Sequence, residues 1–398
     1  MRNPFLQNKP GTQKSIAIAC GGTGGHLFPG LAVADQLVKK GCRVTLLVSP
    51  KEIDQHAVES ASGMQIITLP AVGLKRGGRI AFARGFAQSY RASKKCFSSS
   101  PPDAALAMGG FTSAPPILAA RLLGAPTFLH ESNTIPGRAN RLLSWIVDHA
   151  FVGFPSTRAH LKNKKVIVTG TPVRQPFHAR DARASRAALG LDPDRPALLV
   201  MGGSQGASGI NELIMQSLPL FAELAPQLQW FHLTGPTQVD EVQRAYTALN
   251  LKAVVHPFFA EMELALGAAS AAITRAGASS LAELAATRVP AILIPYPTAT
   301  DNHQFENARA FEQSGAACLL EQKAATPEKL VELLLPLLRD DFTRAKMQQA
   351  LARWHAPEAA QRIAQAILSS VAPRETTSAR ILPSDEPAGF AHQTSIAE

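Results

Sequence analysis

Residues 15–40, SIAIACGGTGGHLFPGLAVADQLVKK, decide the fold. The small apolar run SIAIAC reads as a buried strand, and it ends in a glycine-rich turn. Beyond the turn, Leu27, Leu31, Ala34, Leu37 and Val38 fall on one helical face. Gly41 closes that helix, and RVTLLVS follows as a second strand. Strand, turn, helix, strand is the unit of a parallel sheet covered by helices on both faces.

Outward from this unit, ALAMGG (105–110), PTFLHE (126–131) and KVIVTG (165–170) read as further strands of the same half. A second series opens in the same way at ALLVMGG (197–203), with a helix from about Asn211. It continues through WFHLTG (230–235), AVVHPF (253–258), AAITRAG (271–277) and AILIPYP (291–297). The fold class is therefore α/β, with tandem Rossmann-like domains over residues 1–174 and 175–352. They are joined by a segment that holds Pro172 and Pro176. Residues 326–368 read as helices. Residues 372–398, rich in Ser, Thr, Pro and Ala without periodicity, read as a disordered tail.

Composition agrees with this division. A chain of 398 residues is too long for one ordinary core and suits two. Hydrophobic residues at 46% and charged residues at 18% are globular proportions. Lys and Arg number 40 against 30 Asp and Glu, a balance that suits an acidic partner: nucleic acid, anionic lipid or a phosphorylated substrate. No apolar run approaches the ~18 residues of a spanning helix. The N-terminal residues lack the apolar core of a secretory signal. The four cysteines, Cys20, Cys42, Cys96 and Cys318, form no C-x-x-C pair, so a disulfide framework or structural zinc is not expected and a reducing cytoplasm is.

Several segments could carry chemistry. Gly21, Gly22, Thr23, Gly24, Gly25 and His26 lie at a strand-to-helix turn, where backbone N–H groups and the helix N-terminus favour an anion. The spacing is neither G-x-G-x-x-G nor a P-loop. The next strand, RVTLLVSP, has no acid at its tip, so a nicotinamide cofactor or ATP is not expected. His26 can accept a proton at neutral pH or simply pack the turn. Gly202–Ala207 should repeat the geometry, with Ser204 able to donate to a phosphate oxygen.

Between Thr274 and Glu283, the amides of Ala278, Ser279, Ser280 and Leu281 could hold a phosphate and Glu283 a ribose diol. A capping box of Ser280 and Glu283 explains the same residues equally well. His130, Glu131, Ser132 and Asn133 cluster at a strand end. Asp301, His303, Gln304 and Glu306 suit sugar hydroxyls, or Asp301 caps a helix. Asp192-Pro193-Asp194 resembles a metal-holding D-x-D but reads as a turn, so no metal is expected. Finally, residues 60–102 hold no acid while Lys75, Arg76, Arg79, Arg84, Arg91, Lys94 and Lys95 are basic. Ile80, Ala83, Phe86, Tyr90 and Phe97 form a helical stripe with Phe82 nearby. An apolar face beside a cationic flank suits anionic lipid, and no nucleic-acid motif accompanies the charge.

Taken together, GGTGGHLFPGLAVA, HESNTIPGRANR, GTPVR, GGSQGA, RAGASSLAEL and DNHQFENA resemble the bacterial UDP-N-acetylglucosamine transferases that make lipid II, the MurG family. Six motifs in the family's order cover nearly all of the globular chain. The resemblance implies a GT-B architecture whose C-terminal helix, about residues 353–371, returns to the first domain. It implies UDP-N-acetylglucosamine and lipid I as substrates, with no cofactor and no nucleic acid. It also implies a peripheral place on the cytoplasmic face of the plasma membrane, among other cell-wall synthesis proteins.

By this likeness Thr23, Gly24, Gly25, Asn133, Arg174, Ser204, Phe259, Ala278, Ser279, Ser280, Leu281, Glu283 and Gln304 surround the nucleotide-sugar. His303 and Gln304 stand where the family has two glutamines, and Phe111 replaces a tyrosine of some members. Inverting transfer then needs a base for the acceptor hydroxyl: His26 first, Glu131 or His130 second. Ile80, Phe82, Phe86, Arg79 and Arg84 would meet the membrane. Another GT-B transferase with a different lipid, or a non-catalytic nucleotide-sugar binding protein, are the alternatives.

Overall fold

The computed structural model describes residues 13–51, 63–71, 78–175, 177–203 and 206–371. Its first lobe runs β1 (Ser15–Ala19), α1 (Gly24–Lys39), β2 (Arg43–Val48), β3 (Gln65–Thr68), α2 (Arg79–Ser99) and β4 (Ala104–Ala107). It continues through α3 (Ala114–Leu122), β5 (Thr127–Glu131), α4 (Arg138–Leu143), β6 (His149–Val152) and β7 (Val166–Val168). After α5 (Ala182–Ala188) the second lobe runs β8 (Ala197–Met201), α6 (Ser208–Leu224), β9 (Gln229–Leu233), α7 (Val239–Ala248) and β10 (Ala253–His256). There follow α8 (Met262–Ala268), β11 (Ala271–Thr274), α9 (Ala278–Thr287), β12 (Ala291–Leu293), α10 (His303–Gln313) and β13 (Cys318–Leu319). The chain closes with α11 (Pro327–Arg339), α12 (Asp341–Ala352) and α13 (Ala359–Ser370).

The two sheets are separate and their strand pairs parallel. Their orders are β3-β2-β1-β4-β5-β6-β7 and β10-β9-β8-β11-β12-β13. β1 and β8 are buried along their whole length because helices cover both faces, which is why they read as unbroken apolar runs. Three strands escaped the sequence reading: the two-residue β13, and β3 and β6 of the first sheet. β3 is an exposed edge with Gln65 and Thr68 in it, and β6 is only four residues of mixed type. Neither carries the long apolar signal of the central strands.

Each face of the first sheet has its own core. Leu27, Leu31, Leu37, Val44 and Phe128 gather under α1. There Ala360, Ile363, Ala364 and Ile367 of α13 join them, so the last helix packs on the first lobe. Ile117, Leu129, Leu143 and Phe97 fill the opposite face. The segment that leads to α13 crosses the exit from β7. At Gly170, φ is +80°, and a Cβ would stand 2.2 Å from that of Ala356. Only glycine satisfies both the backbone and that crossing.

Helix α2 corrects the expected stripe. Its buried residues are Gly85, Ser89, Ser93 and Phe97, a row of mostly small side chains spaced by four that lets it close on the neighbouring α3. Phe82 and Phe86 are half-buried, with ring centres 6.3 Å apart, and Ile80 is 86% exposed. No helix among the described residues is long and apolar enough to cross a membrane.

Candidate active site between the lobes

Two helix N-termini meet across the cleft. α1 begins at Gly24 and α9 at Ala278; neither has an acidic residue in its first turn, and neither has a side-chain cap. The positive ends of both helices are thus met by no carboxylate or capping side chain of their own. Ser279 Oγ donates to Gly25 O at 3.2 Å, joining the two turns directly. That carbonyl is available because the residue four further on is Pro29, inside α1, which has no N–H to give it.

The first turn is held from behind. Thr112 Oγ1 donates to Gly21 O at 2.8 Å, and Lys51 Nζ donates to Gly22 O at 2.7 Å. Lys51 also lies over the ring of Phe111, 5.3 Å from its centre. With both carbonyls occupied, the turn faces the cleft with its amides. His26 sits in the first turn of α1, half-buried, its Nδ1 3.0 Å from Thr23 Oγ1. Its ring rests on the Gly109–Gly110 turn, where φ is +107° and +78° and added Cβ atoms would come within 3.0 Å of the imidazole.

The two other candidate bases are engaged by their own surroundings. His130 is fully buried, with Nε2 at 3.0 Å from Gly170 O and Nδ1 at 3.4 Å from Ser132 Oγ. Burial pushes its pKa down to about 4, so the ring is neutral where it packs against Gly170. Glu131, 3% exposed, accepts from Asn133 N and Nδ2 on one oxygen, and from Gly137 N and Asn140 Nδ2 on the other. Four donors fill a carboxylate's acceptor sites, and through them Glu131 ties the loop together.

On the donor side the capping-box alternative fails. Gly277 is the N-cap of α9, which puts Ser280 at the third helical position and Glu283 in the second turn. Ala278, Ser279 and Ser280 lead the helix. Leu281 N is already given to Gly277 O at 3.0 Å, and its side chain is in the core, so its amide is not open to a phosphate. Burial raises the Glu283 carboxyl to about 7; Arg174 pulls it down and Glu263 up.

Arg174, in the connection between lobes, lies over Phe28 at 4.6 Å and Phe177 at 5.3 Å. Phe259 packs edge-on to Phe231 at 5.1 Å. Gln304 Oε1 accepts from Tyr296 N at 2.9 Å, and His303 Nδ1 lies 2.7 Å from Thr300 O. Asp301 does not cap α10; it pairs across the cleft with Arg141. Ser204 lies outside the described residues. The D-x-D is a turn: Asp194 N donates to Asp192 Oδ1 at 2.9 Å, before β8 and so at the sheet end away from the cleft.

Comparison with known proteins agrees with this arrangement. Residues 16–152 match the glycosyltransferase family 28 N-terminal domain and residues 197–363 its C-terminal domain. A protein of Anaeromyxobacter sp. (strain Fw109-5) is 36% identical over 88% of this chain and 91% of its own length. One of Acidithiobacillus ferrooxidans is 37% identical over 89% and 97%. Both are named UDP-N-acetylglucosamine–N-acetylmuramyl-(pentapeptide) pyrophosphoryl-undecaprenol N-acetylglucosamine transferase. The crystal structure of Acinetobacter baumannii MurG superposes with a TM-score of 0.71 at 30% identity, covering 89% of this chain and 99% of that one. The chain belongs to the MurG family. As in MurG, its fold is GT-B, with two Rossmann-like lobes facing a central cleft.

Lys51, Asn140 and Asn307 were not foreseen. Lys51 follows β2, the strand beside β1, and residues leaving the C-terminal ends of neighbouring parallel strands share one crevice. Asn307 lies one helical turn beyond Gln304 in the same quoted motif, a spacing that placed both on one face.

Proposed function

We propose that this chain moves N-acetylglucosamine from UDP-N-acetylglucosamine to the 4-hydroxyl of N-acetylmuramic acid in lipid I, undecaprenyl-diphospho-N-acetylmuramoyl-pentapeptide. The product is the β-1,4 link of lipid II in peptidoglycan synthesis. One observation carries the reading: the uncapped N-termini of α1 and α9 meet in a cleft, in a chain matched nearly end to end by transferases of this sugar.

His26 takes the proton of the acceptor hydroxyl as its oxygen attacks C1 of the donor sugar. The bond from C1 to the diphosphate oxygen breaks, and UDP leaves from the opposite face with the electron pair. A single in-line displacement turns the α donor into a β product through a transition state of oxocarbenium character. The charge gathering on the leaving diphosphate is met by the leading amides of α9, at Ala278, Ser279 and Ser280. Glu283 takes the ribose hydroxyls. Arg174, Phe259, Asn133, His303 and Gln304 line the rest of the nucleotide-sugar site. Thr23, Gly24 and Gly25, with the charge of Lys51 beside them, receive the acceptor's diphosphate.

The acceptor is a lipid, so the protein works at the cytoplasmic face of the plasma membrane as a peripheral protein. Helix α2 makes the contact through Ile80, Phe82 and Phe86, with Arg79 and Arg84 among the headgroups; the exposure of Ile80 supports this. The direct test is transfer of radiolabelled sugar with purified chain. Label appearing in lipid II, and only when lipid I is present, is the expected result. Label passing instead to diacylglycerol or a small aglycone, or to nothing, overturns the reading.

A further inference from the structure

Asn307, on α10 of the donor lobe, is fully buried and makes more bonds across the cleft than within its own lobe. Its Oδ1 accepts from Thr134 N at 2.9 Å and from Thr134 Oγ1 at 2.9 Å. Its Nδ2 donates to Asn133 Oδ1 at 3.0 Å and to Ala276 O at 3.1 Å. All four positions of the amide are thus used. Three of the four bonds reach the acceptor lobe, in the loop that follows β5. The fourth reaches the turn that leads into α9, the helix whose amides face the leaving diphosphate.

The pattern fixes more than the spacing of the lobes. Asn133 receives Asn307 on its Oδ1 and gives its Nδ2 to Glu131 Oε1 at 2.9 Å, so its amide has only one orientation that satisfies both neighbours. Glu131 in turn gathers Gly137 and Asn140. A continuous polar chain therefore runs from Asn140 through Glu131, Asn133 and Asn307 to Ala276. It joins the loop beside the first lobe's site to the first turn of the second lobe's site. Buried amides are costly to leave unpaired, so an open cleft must break this chain and expose its members to water.

We infer that Asn307 is a positioning residue for the transfer. It sets the closed arrangement of the lobes and the orientation of Asn133, and touches neither substrate. The inference rests on the transfer reading above; wild-type transfer tests that reading, and the variants below test Asn307. Of the groups placed around the donor only Asn133 is held by Asn307, the rest standing on the second lobe or the connection, whereas bond making depends on how both lobes meet. Asn307→Ala should therefore lower kcat at least about thirtyfold while the Kd for UDP-N-acetylglucosamine stays within about threefold.

Because Asn307 acts through Asn133, the Asn133→Ala, Asn307→Ala double variant should turn over within about twofold of the slower single variant. Asn307→Asp keeps the volume and the Thr134 bonds but loses the donor half. Its kcat relative to wild type at the same pH should rise as pH falls and the carboxyl regains a proton to donate, since the loss of the His26 base on acidification is common to both, and this variant decides the matter if the alanine form does not fold. A kcat within threefold of wild type overturns the inference. So do a donor affinity that falls in step with kcat, losses that multiply in the double variant, and a full-rate, pH-independent Asn307→Asp.

Discussion

The two lobes share one strand order, yet each commits a different helix to the cleft. In the first lobe it is α1, which follows the first strand; in the second it is α9, which follows the fourth strand, β11. In both sheets those two strands are neighbours, β1 with β4 and β8 with β11, so each lobe offers two helix starts at its switch point. The lobes differ again in the group set beside the chosen helix start. The first presents an imidazole, His26, wedged on a pair of glycines. The second presents a carboxyl, Glu283, that burial has raised to about 7. A repeated scaffold therefore does not repeat a site. It supplies two equivalent crevices, and the proposed mechanism divides the work between them: proton transfer and acceptor chiefly on one side, nucleotide chiefly on the other.

The division is broken most severely at His26. Replacing it with alanine should cost ~10²–10⁴ in kcat, the usual range for loss of a general base. Donor Kd, measured by calorimetry, should stay within about threefold. A kcat within threefold of wild type would mean that the first lobe contributes no base through this residue, and the contrast between the lobes would lose its chemical half.

What could be read beforehand follows from locality. The strand–glycine–helix units at residues 15–40 and 197–224 are contiguous, so their period and their glycines carried the fold. The loop HESN was legible as polar and clustered, but the work of each member was not. Glu131 is saturated by Asn140 and Gly137, and His130 is buried against Gly170, partners that are distant in sequence or chosen by the fold. The same limit hid Lys51, whose contact with Gly22 spans two strands, and Asn307, whose first-lobe partners lie over 170 positions away. The role of Pro29 was equally invisible. A proline within a helix reads as a defect until Ser279 is seen on the carbonyl it leaves open.

A second contrast concerns the outer surfaces, since the membrane contact is assigned to the first lobe alone. Arg79, Arg84 and Arg91 of α2 are exposed. Changing all three to Glu should weaken binding to anionic vesicles by at least ~100-fold, at about 1 kcal/mol for each basic charge near the surface. Vesicle sedimentation reads this directly, and transfer to a detergent-solubilised acceptor should be spared. Unchanged vesicle binding would move the contact elsewhere and remove this asymmetry.

The smallest expected effect sharpens the donor side. In the free protein the Glu283 carboxyl is held near 7, chiefly by burial, so at pH 6 it is mostly protonated and at pH 8 mostly charged. Ribose hydroxyls donate their hydrogens to a carboxylate, so bound donor favours the charged form and draws the pKa down. Binding must then release a proton at pH 6 and almost none at pH 8. Affinity for UDP-N-acetylglucosamine should therefore rise about tenfold between those values and level off above, at most tenfold per unit over the range where only the free protein holds the proton. The diphosphate of the nucleotide-sugar is doubly esterified and does not titrate there, so the slope belongs to the protein. Glu283→Gln should bind more weakly at pH 8 and show no such slope. The same substitution removes a charge that the fold disfavours: a carboxyl raised on folding contributes stability below its unfolded pKa and loses it as pH rises through the folded value. The variant should accordingly gain melting temperature over wild type at pH 8 and little at pH 5. A flat affinity profile in the wild type would show that the carboxyl does not receive the ribose, leaving the second lobe's grip to the amides of α9 alone.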